Sequence, residues 1–244
     1  MNVNLSFPQR FLVEPFTYYF LFVLASFAAL TFQPQVAWVY VALIAADFVF
    51  WTSCKAEFDY NSIANNTIKA LFIAVGAYVL FYFVTYGIVT FLQSSVVPNQ
   101  VAFNNHLQSA LLGATDTPIL AGNKIMTFIV FAIFIPIVET RTLVGRNLEF
   151  LGAMLNEPIK LMSKATWFIL ILVGTIAAAF HLQVKGVDAN VDLLIVLAFF
   201  TFSAGLVVWQ REMESAVYLH IINNGMLMLS MFGIKIFSVF GLPG

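Results

Sequence analysis

Residues 191–209 read VDLLIVLAFFTFSAGLVVW, nineteen residues with a single charge, Asp192, near the start. As an α-helix this run is about 28 Å long at ~1.5 Å per residue, close to the ~30 Å hydrocarbon core of a bilayer. A β-strand is not expected, because the run is too long for a strand of a membrane barrel and lacks its alternation of polar and apolar residues. The run therefore predicts a membrane-spanning helix. Asp192 opens it, where a carboxylate suits the positive end of the helix dipole.

Six further apolar runs of similar length lie along the chain, separated by charged residues, prolines and polar stretches. They predict one all-α integral membrane domain over residues 1–244, a polytopic bundle of about seven transmembrane helices. Gln93–Asn123 is expected to be an external loop along the membrane surface, and Asn147–Met162 an interfacial helix followed by a loop. The seven predicted spans are Phe11–Phe32, Val36–Ser53, Lys69–Leu92, Lys124–Arg146, Ser163–Leu182, Val191–Trp209 and Ser215–Phe240.

The composition of the whole chain agrees with a membrane protein. Of its 244 residues, 61% are hydrophobic and only 9% are charged, whereas soluble domains are about 45–50% apolar and about 25% charged. Intrinsic disorder is excluded by the same figures. A disulfide scaffold is excluded because Cys54 is the one cysteine. The net charge of −1 argues against nucleic acid as a partner, and membrane lipids are the expected surroundings.

The distribution of basic residues predicts the orientation in the membrane. With the N-terminus in the cytosol and seven spans, eight of the 11 basic residues fall on the cytosolic side. Lys124, Lys185 and Lys235 fall outside or near the external end. We therefore expect a cytosolic N-terminus and an external C-terminus, in the plasma membrane. The eight cytosolic residues are Arg10, Lys55, Lys69, Arg141, Arg146, Lys160, Lys164 and Arg211.

Few ionisable residues lie within the predicted spans, and each is costly there, by about 2.5–3.5 kcal/mol for a charged group on insertion scales. Asp47 lies near a predicted span end, and its carboxylate is expected to reach the interface. Glu139 lies three residues after Pro136, and a proline there loosens the backbone and can kink the helix at a cavity. A carboxylate in an apolar pocket suits a general base. The alternative is a buried structural glutamate paired with Arg141 or Arg146.

Two more polar features lie in later spans. His220 and Asn224 are four residues apart, so a helix places them on one face, one turn apart, as hydrogen-bond donors that could hold an oxyanion. The alternative is that they bond each other or a neighbouring helix. His181 follows the small residues of 177–179, which allow another helix to approach closely. His106, in the external loop, is read as an ordinary surface residue.

Glu139 after a proline, then His181 closing the next span, then His220-x-x-x-Asn224 in the last span, form an ordered set. This set resembles the CAAX-protease and bacteriocin-processing family of intramembrane proteases, also called the Abi family, which includes the Ras-converting enzymes. The resemblance covers roughly residues 131–226, within a motif-bearing core of about 124–240. Phe199-x-x-Phe202-x-x-Gly205 resembles the connecting helix of that family.

The resemblance implies a metal-independent glutamate mechanism without a cofactor. Glu139 with His181 would position and deprotonate a water molecule, and His220 and Asn224 would stabilise the tetrahedral oxyanion. The substrate would be a membrane-associated peptide or lipidated protein, cleaved at a peptide bond near the membrane surface. The sequence indicates neither the biological process nor an oligomeric state.

Some positions depart from the family pattern and keep other functions open. The first motif is usually Glu-Glu-x-x-x-Arg, and here Thr140 and Val144 stand at the second and last positions; Ala177 stands where the family has Phe. These departures favour a catalytically silent relative that acts as a membrane scaffold or binding subunit. Two further alternatives are a transporter or channel that uses the ionisable residues as a proton or cation pathway, and a metal site of Glu139, His181 and His220.

The predicted span boundaries also place two of the residues at different depths. His181 lies about 27 Å from the start of its span, whereas Glu139 lies only ~10 Å from the cytosolic end of its own span at Arg146. On these boundaries the two side chains meet only if the fifth span starts below the surface or tilts strongly.

Overall fold

The computed structural model describes residues 66–92, 124–155, 159, 164–184 and 191–233. Every regular element within these ranges is a helix, so the predicted all-α class is confirmed there. Three of the helices are long and apolar enough to cross a membrane: Thr67–Phe91, Ala165–Leu182 and Val191–Gln210. The predicted spans Phe11–Phe32 and Val36–Ser53 and the predicted loop Gln93–Asn123 lie outside the described residues.

The described residues form five helical elements. All of them begin within two residues of a predicted start, because apolar runs bounded by polar residues mark helix ends. Two helix ends differ from the predicted ends by nine residues. The second element, predicted to end at Arg146, continues to Leu155, so that the predicted interfacial helix is its last part. The last element, predicted to reach Phe240, ends at Met231. The elements are α1 (Thr67–Leu92), α2 (residues 124–155), α3 (Lys164–Val184), α4 (Val191–Gln210) and α5 (Glu214–Met231).

Helix α2 alternates between α and π geometry. Its α segments are Lys124–Phe128, Ile135–Glu139 and Asn147–Leu155, and its π segments are Ile129–Phe134 and Thr140–Arg146. In a π turn each N–H bonds the carbonyl five residues earlier, as the N–H of Ile135 does with Val130 O. Pro136 follows and has no N–H, which interrupts the ladder directly before the turn that carries Glu139.

Large apolar side chains face outward and polar side chains lie inside. On α1, Phe72 is 74% and Phe91 is 84% exposed, and on α3 Phe168 is 70% exposed. Glu139, His181 and His220 are by contrast 0% exposed. This arrangement is expected where the surroundings are lipid, because apolar surface carries no penalty there and polar groups are sheltered by neighbouring helices.

Helices α3 and α4 pack closely against each other along much of their length. A Cβ atom at Gly174 of α3 would lie 2.1 Å from Thr201 Oγ1 and 2.7 Å from the Leu197 carbonyl of α4, so only glycine allows this approach. After α4 the chain reverses within three residues, with Arg211 at φ 57°. The Glu212 carboxylate, one residue before the N-cap Met213, accepts a bond of 3.1 Å from the Ser215 N–H in the first turn of α5. Helix α5 then packs between α1 and α2.

Candidate active site

Three of the four predicted site residues meet in the interior, each on a different helix. The Glu139 Oε2 atom of α2 lies 3.8 Å from His181 Nε2 of α3 and 3.6 Å from His220 Nε2 of α5. All three side chains are fully buried. These separations exceed a direct hydrogen bond and are within the reach of one bridging water molecule. The structure thus joins a carboxylate to two imidazole nitrogens that are distant in sequence.

The difference in depth that the predicted span boundaries imply for Glu139 and His181 is absent from the structure. Because α2 continues to Leu155, Glu139 lies 16 residues before the end of its helix, or about 24 Å at ~1.5 Å per residue. His181 lies 17 residues after Lys164, the start of α3, or about 26 Å. Since α3 packs back along α2, the two residues come level. The cause of the error was the helix end predicted at Arg146.

The hydrogen bond of His181 within α3 settles which of its ring nitrogens carries a proton. His181 Nδ1 lies 2.8 Å from the Ala177 carbonyl oxygen, and a carbonyl oxygen only accepts hydrogen bonds. Nδ1 therefore carries a proton, and in the neutral ring Nε2 has a lone pair. That Nε2 faces Glu139 Oε2, so the contact is attractive only when a proton is held by one of the two groups.

His220 is tied to α2 through the residue that follows Glu139. His220 Nδ1 lies 3.0 Å from Thr140 Oγ1, and both side chains are buried. This bond orients the ring so that its opposite nitrogen, Nε2, faces Glu139. Sequence reasoning considered Thr140 only as a departure from the family motif, because a contact between residues 140 and 220 has no local signal.

Asn224, the fourth predicted residue, lies one turn beyond His220 on α5 and is buried. Its Nδ2 donates a bond of 3.1 Å to the carbonyl of Phe131 in the first π segment of α2. Its Oδ1 accepts from Asn223 Nδ2 at 3.4 Å. The structure therefore places Asn224 beside His220 and against the α2 backbone about two turns before Glu139.

Aromatic rings from α4 form one wall of the site. Phe200 lies 5.1 Å from the His181 ring and 5.5 Å from the His220 ring between centroids, and Phe199 lies 4.9 Å from His220. Both phenylalanines are fully buried. They exclude water from this side and strengthen the electrostatic interactions among the polar groups. Sequence reasoning noted Phe199 within the motif of the connecting helix, but it missed Phe200, which no spacing distinguishes from the other phenylalanines of α4.

The remaining candidate residues are elsewhere. Arg146 Nη1 pairs with Glu149 Oε2 at 2.5 Å, and Asp192 is buried in the first turn of α4. Asp47 and His106 lie outside the described residues. Among the residues that are described, no group of three His, Cys, Asp or Glu side chains has the geometry to hold a metal ion.

Comparison with known proteins gives no relative: no family model, no curated protein and no solved structure matches the chain. The site is therefore interpreted from its own chemistry and from the motif resemblance.

Proposed function

We propose that the chain is a multi-pass protein of about seven spans in the plasma membrane and an intramembrane endopeptidase of the CAAX-protease type, acting on a membrane-associated peptide or lipidated protein. The observation that supports this function is the approach of the Glu139 carboxylate to the Nε2 atoms of His181 and His220, at 3.8 and 3.6 Å. A carboxylate within one-water reach of an imidazole can serve as the general base that activates water.

In the proposed reaction a water molecule held by Glu139 and His181 attacks the carbonyl carbon of the peptide bond. One proton of the water passes to the Glu139–His181 pair, and the carbonyl oxygen becomes an oxyanion. When the oxyanion collapses, the C–N bond breaks, and the same proton passes to the leaving amine. The pair thus acts first as a base and then as an acid.

Hydrogen-bond donors on α5 would stabilise the oxyanion. His220 Nε2 faces Glu139 Oε2, beside which the attacking water would lie, and is opposite the ring nitrogen bonded to Thr140. The Asn224 amide has two hydrogens, of which one is directed at Phe131 O. The other hydrogen supplies a second donor one helical turn from the first. Donors held by such contacts before the reaction need no reorganisation as charge develops.

The second candidate function is a catalytically silent relative that serves as a membrane scaffold or binding subunit. Full burial of Glu139, His181 and His220 favours it, because a buried polar cluster also serves to align helices. Thr140 in place of a second glutamate favours it as well.

The substitution Glu139→Gln separates these two functions. Gln keeps the volume of the side chain but cannot accept a proton from water, so kcat should fall by about 10²–10⁴-fold or below detection. Cleavage is measured on membrane-anchored peptides with and without a lipidated cysteine, in vesicles that contain the purified protein.

The matched control is Glu212→Gln in the α4–α5 turn, which keeps an oxygen for the Ser215 N–H and should cleave like the wild type. Thermal unfolding of each variant confirms that the fold is intact. Retained cleavage by Glu139→Gln would show that Glu139 is not the base. A wild-type protein that cleaves none of the peptides would support the silent relative.

A further inference from the structure

The hydroxyl group of Thr140 is bonded differently from those of other threonines in these helices. Thr85, Thr90, Thr142 and Thr175 each donate to the carbonyl four residues earlier, at 2.7–2.8 Å. Thr140 Oγ1 instead lies 3.0 Å from His220 Nδ1, on another helix.

The direction of this hydrogen bond follows from the surroundings of the hydroxyl. Within the part of the chain that the structure describes, the bond to His220 is the one hydrogen bond of Thr140 Oγ1. If Nδ1–H donated to the hydroxyl, the hydroxyl proton would be left without an acceptor at a residue that is 1% exposed. An unsatisfied buried donor costs about 1–3 kcal/mol. The hydroxyl therefore donates, and Nδ1 of His220 accepts.

We propose that Thr140 is a positioning residue that holds the neutral His220 ring as its Nε2–H tautomer. The catalytic consequence of this inference rests on the proposed function, because His220 can donate a hydrogen bond to the oxyanion only if Nε2 carries a proton. The N–H faces Glu139 Oε2, the atom beside which the water is placed.

His181 then has the opposite tautomer at the same carboxylate. Its Nδ1 proton is fixed by the Ala177 carbonyl, which leaves Nε2 to accept. One imidazole accepts a proton beside Glu139 while the other donates a hydrogen bond. The contact with the Ala177 carbonyl thus suits His181 to act with the base Glu139. The contact with the Thr140 hydroxyl suits His220 to donate a hydrogen bond to the oxyanion.

Nitrogen-15 NMR of the full chain in lipid, labelled at histidine, tests the tautomers directly because protonated and bare ring nitrogens have different chemical shifts. The chain has only three histidines, and the variants His106→Gln and His181→Gln assign the signals. In the wild type we expect a protonated Nε2 and a bare Nδ1 for His220, and a protonated Nδ1 for His181. A wild-type spectrum in which His220 is protonated at Nδ1 alone would overturn the proposal.

Three substitutions test the role of the hydroxyl. Thr140→Val keeps the shape and removes the donor, so the Nδ1–H form of His220 should become populated, and Thr140→Ser should restore the wild-type tautomer. The control Thr142→Val removes a buried hydroxyl that bonds only its own helix and should leave His220 unchanged. An unchanged His220 tautomer in Thr140→Val would overturn the proposal.

Kinetics distinguish this proposal from the function on which it rests. If the chain cleaves peptides, Thr140→Val should lower kcat by about 10–100-fold, as for other residues that orient a functional histidine, with KM little changed. An unchanged kcat would overturn the positioning role. A wild-type protein without activity would refute the protease, while the NMR spectra would still decide whether Thr140 sets the tautomer.

Discussion

At the scale of single residues, the site depends on what each histidine contacts at Nδ1. Ala177 stands where the family that the motif resembles has Phe, and the Ala177 carbonyl orients His181. The aromatic contacts to His181 come instead from Phe180, at 5.6 Å, and from Phe200 of α4. The departure at position 177 thus leaves the histidine both oriented and enclosed.

Both proposed oxyanion donors should contribute to the rate, His220 at least as much as Asn224. Asn224→Ala should lower kcat by about 10²–10³-fold, the usual cost of removing one oxyanion-hole donor. His220→Ala should cost at least as much, because it removes the donor that lies 3.6 Å from Glu139 Oε2. The double variant should lose less than the two single losses combined, since the donors act on one oxyanion. Single-turnover cleavage measures all three, and fully independent losses would contradict a shared role.

At the scale of elements, Pro136 and Asn224 compensate for each other across two helices. In the π turn the carbonyl of Phe131 would accept from the N–H of residue 136, and proline has none. Asn224 Nδ2 supplies the missing donor at 3.1 Å. The proline therefore leaves the Phe131 carbonyl without its backbone donor, and the bond from Asn224 to this carbonyl connects α5 to α2 near Glu139. This contact links the proline that precedes Glu139 with the His220-x-x-x-Asn224 motif of the last helix.

A double-mutant cycle on stability tests this compensation. Asn224→Ala should destabilise the protein by about 1–3 kcal/mol, because the partly buried Phe131 carbonyl loses its donor. In a Pro136→Ala background residue 136 regains an N–H, so the same substitution should cost clearly less. Denaturation in detergent micelles measures both costs. Equal costs in the two backgrounds would show that Asn224 does not replace the proline N–H.

At the scale of the whole molecule, the polar centre is enclosed by apolar helices whose outer faces are suited to lipid. Between α1, α3 and α4 the outer surface forms an apolar groove of about 700 Å³. Its lining includes Trp167, near the start of α3, and Trp209, near the end of α4. Tryptophan is enriched at membrane interfaces. The start of α3 and the end of α4 are therefore expected at the same membrane surface.

Labelling of the two chain ends tests the proposed topology. In a Cys54→Ser background, single cysteines at Asn2 and Gly244 should react from opposite sides of the membrane, with position 2 cytosolic. The expectation follows from an odd number of spans and from the excess of basic residues on one side. Impermeant maleimide reagents applied to intact cells and to inverted vesicles measure accessibility. Reaction of both positions from one side would show an even number of spans.

The sequence by itself determined the class of the fold and the residues that required an explanation. Long apolar runs predict helices because lipid tolerates only backbones whose hydrogen bonds are satisfied within the segment. Glu139, His181, His220 and Asn224 are conspicuous because polar groups in such runs are costly. Only the tertiary structure decided that Glu139 and His181 are level, since that depends on where α2 ends and on how α3 packs back along it. It also decided the contact of Thr140 with His220 and the wall formed by Phe200, because contacts between helices distant in sequence follow from packing and have no local pattern.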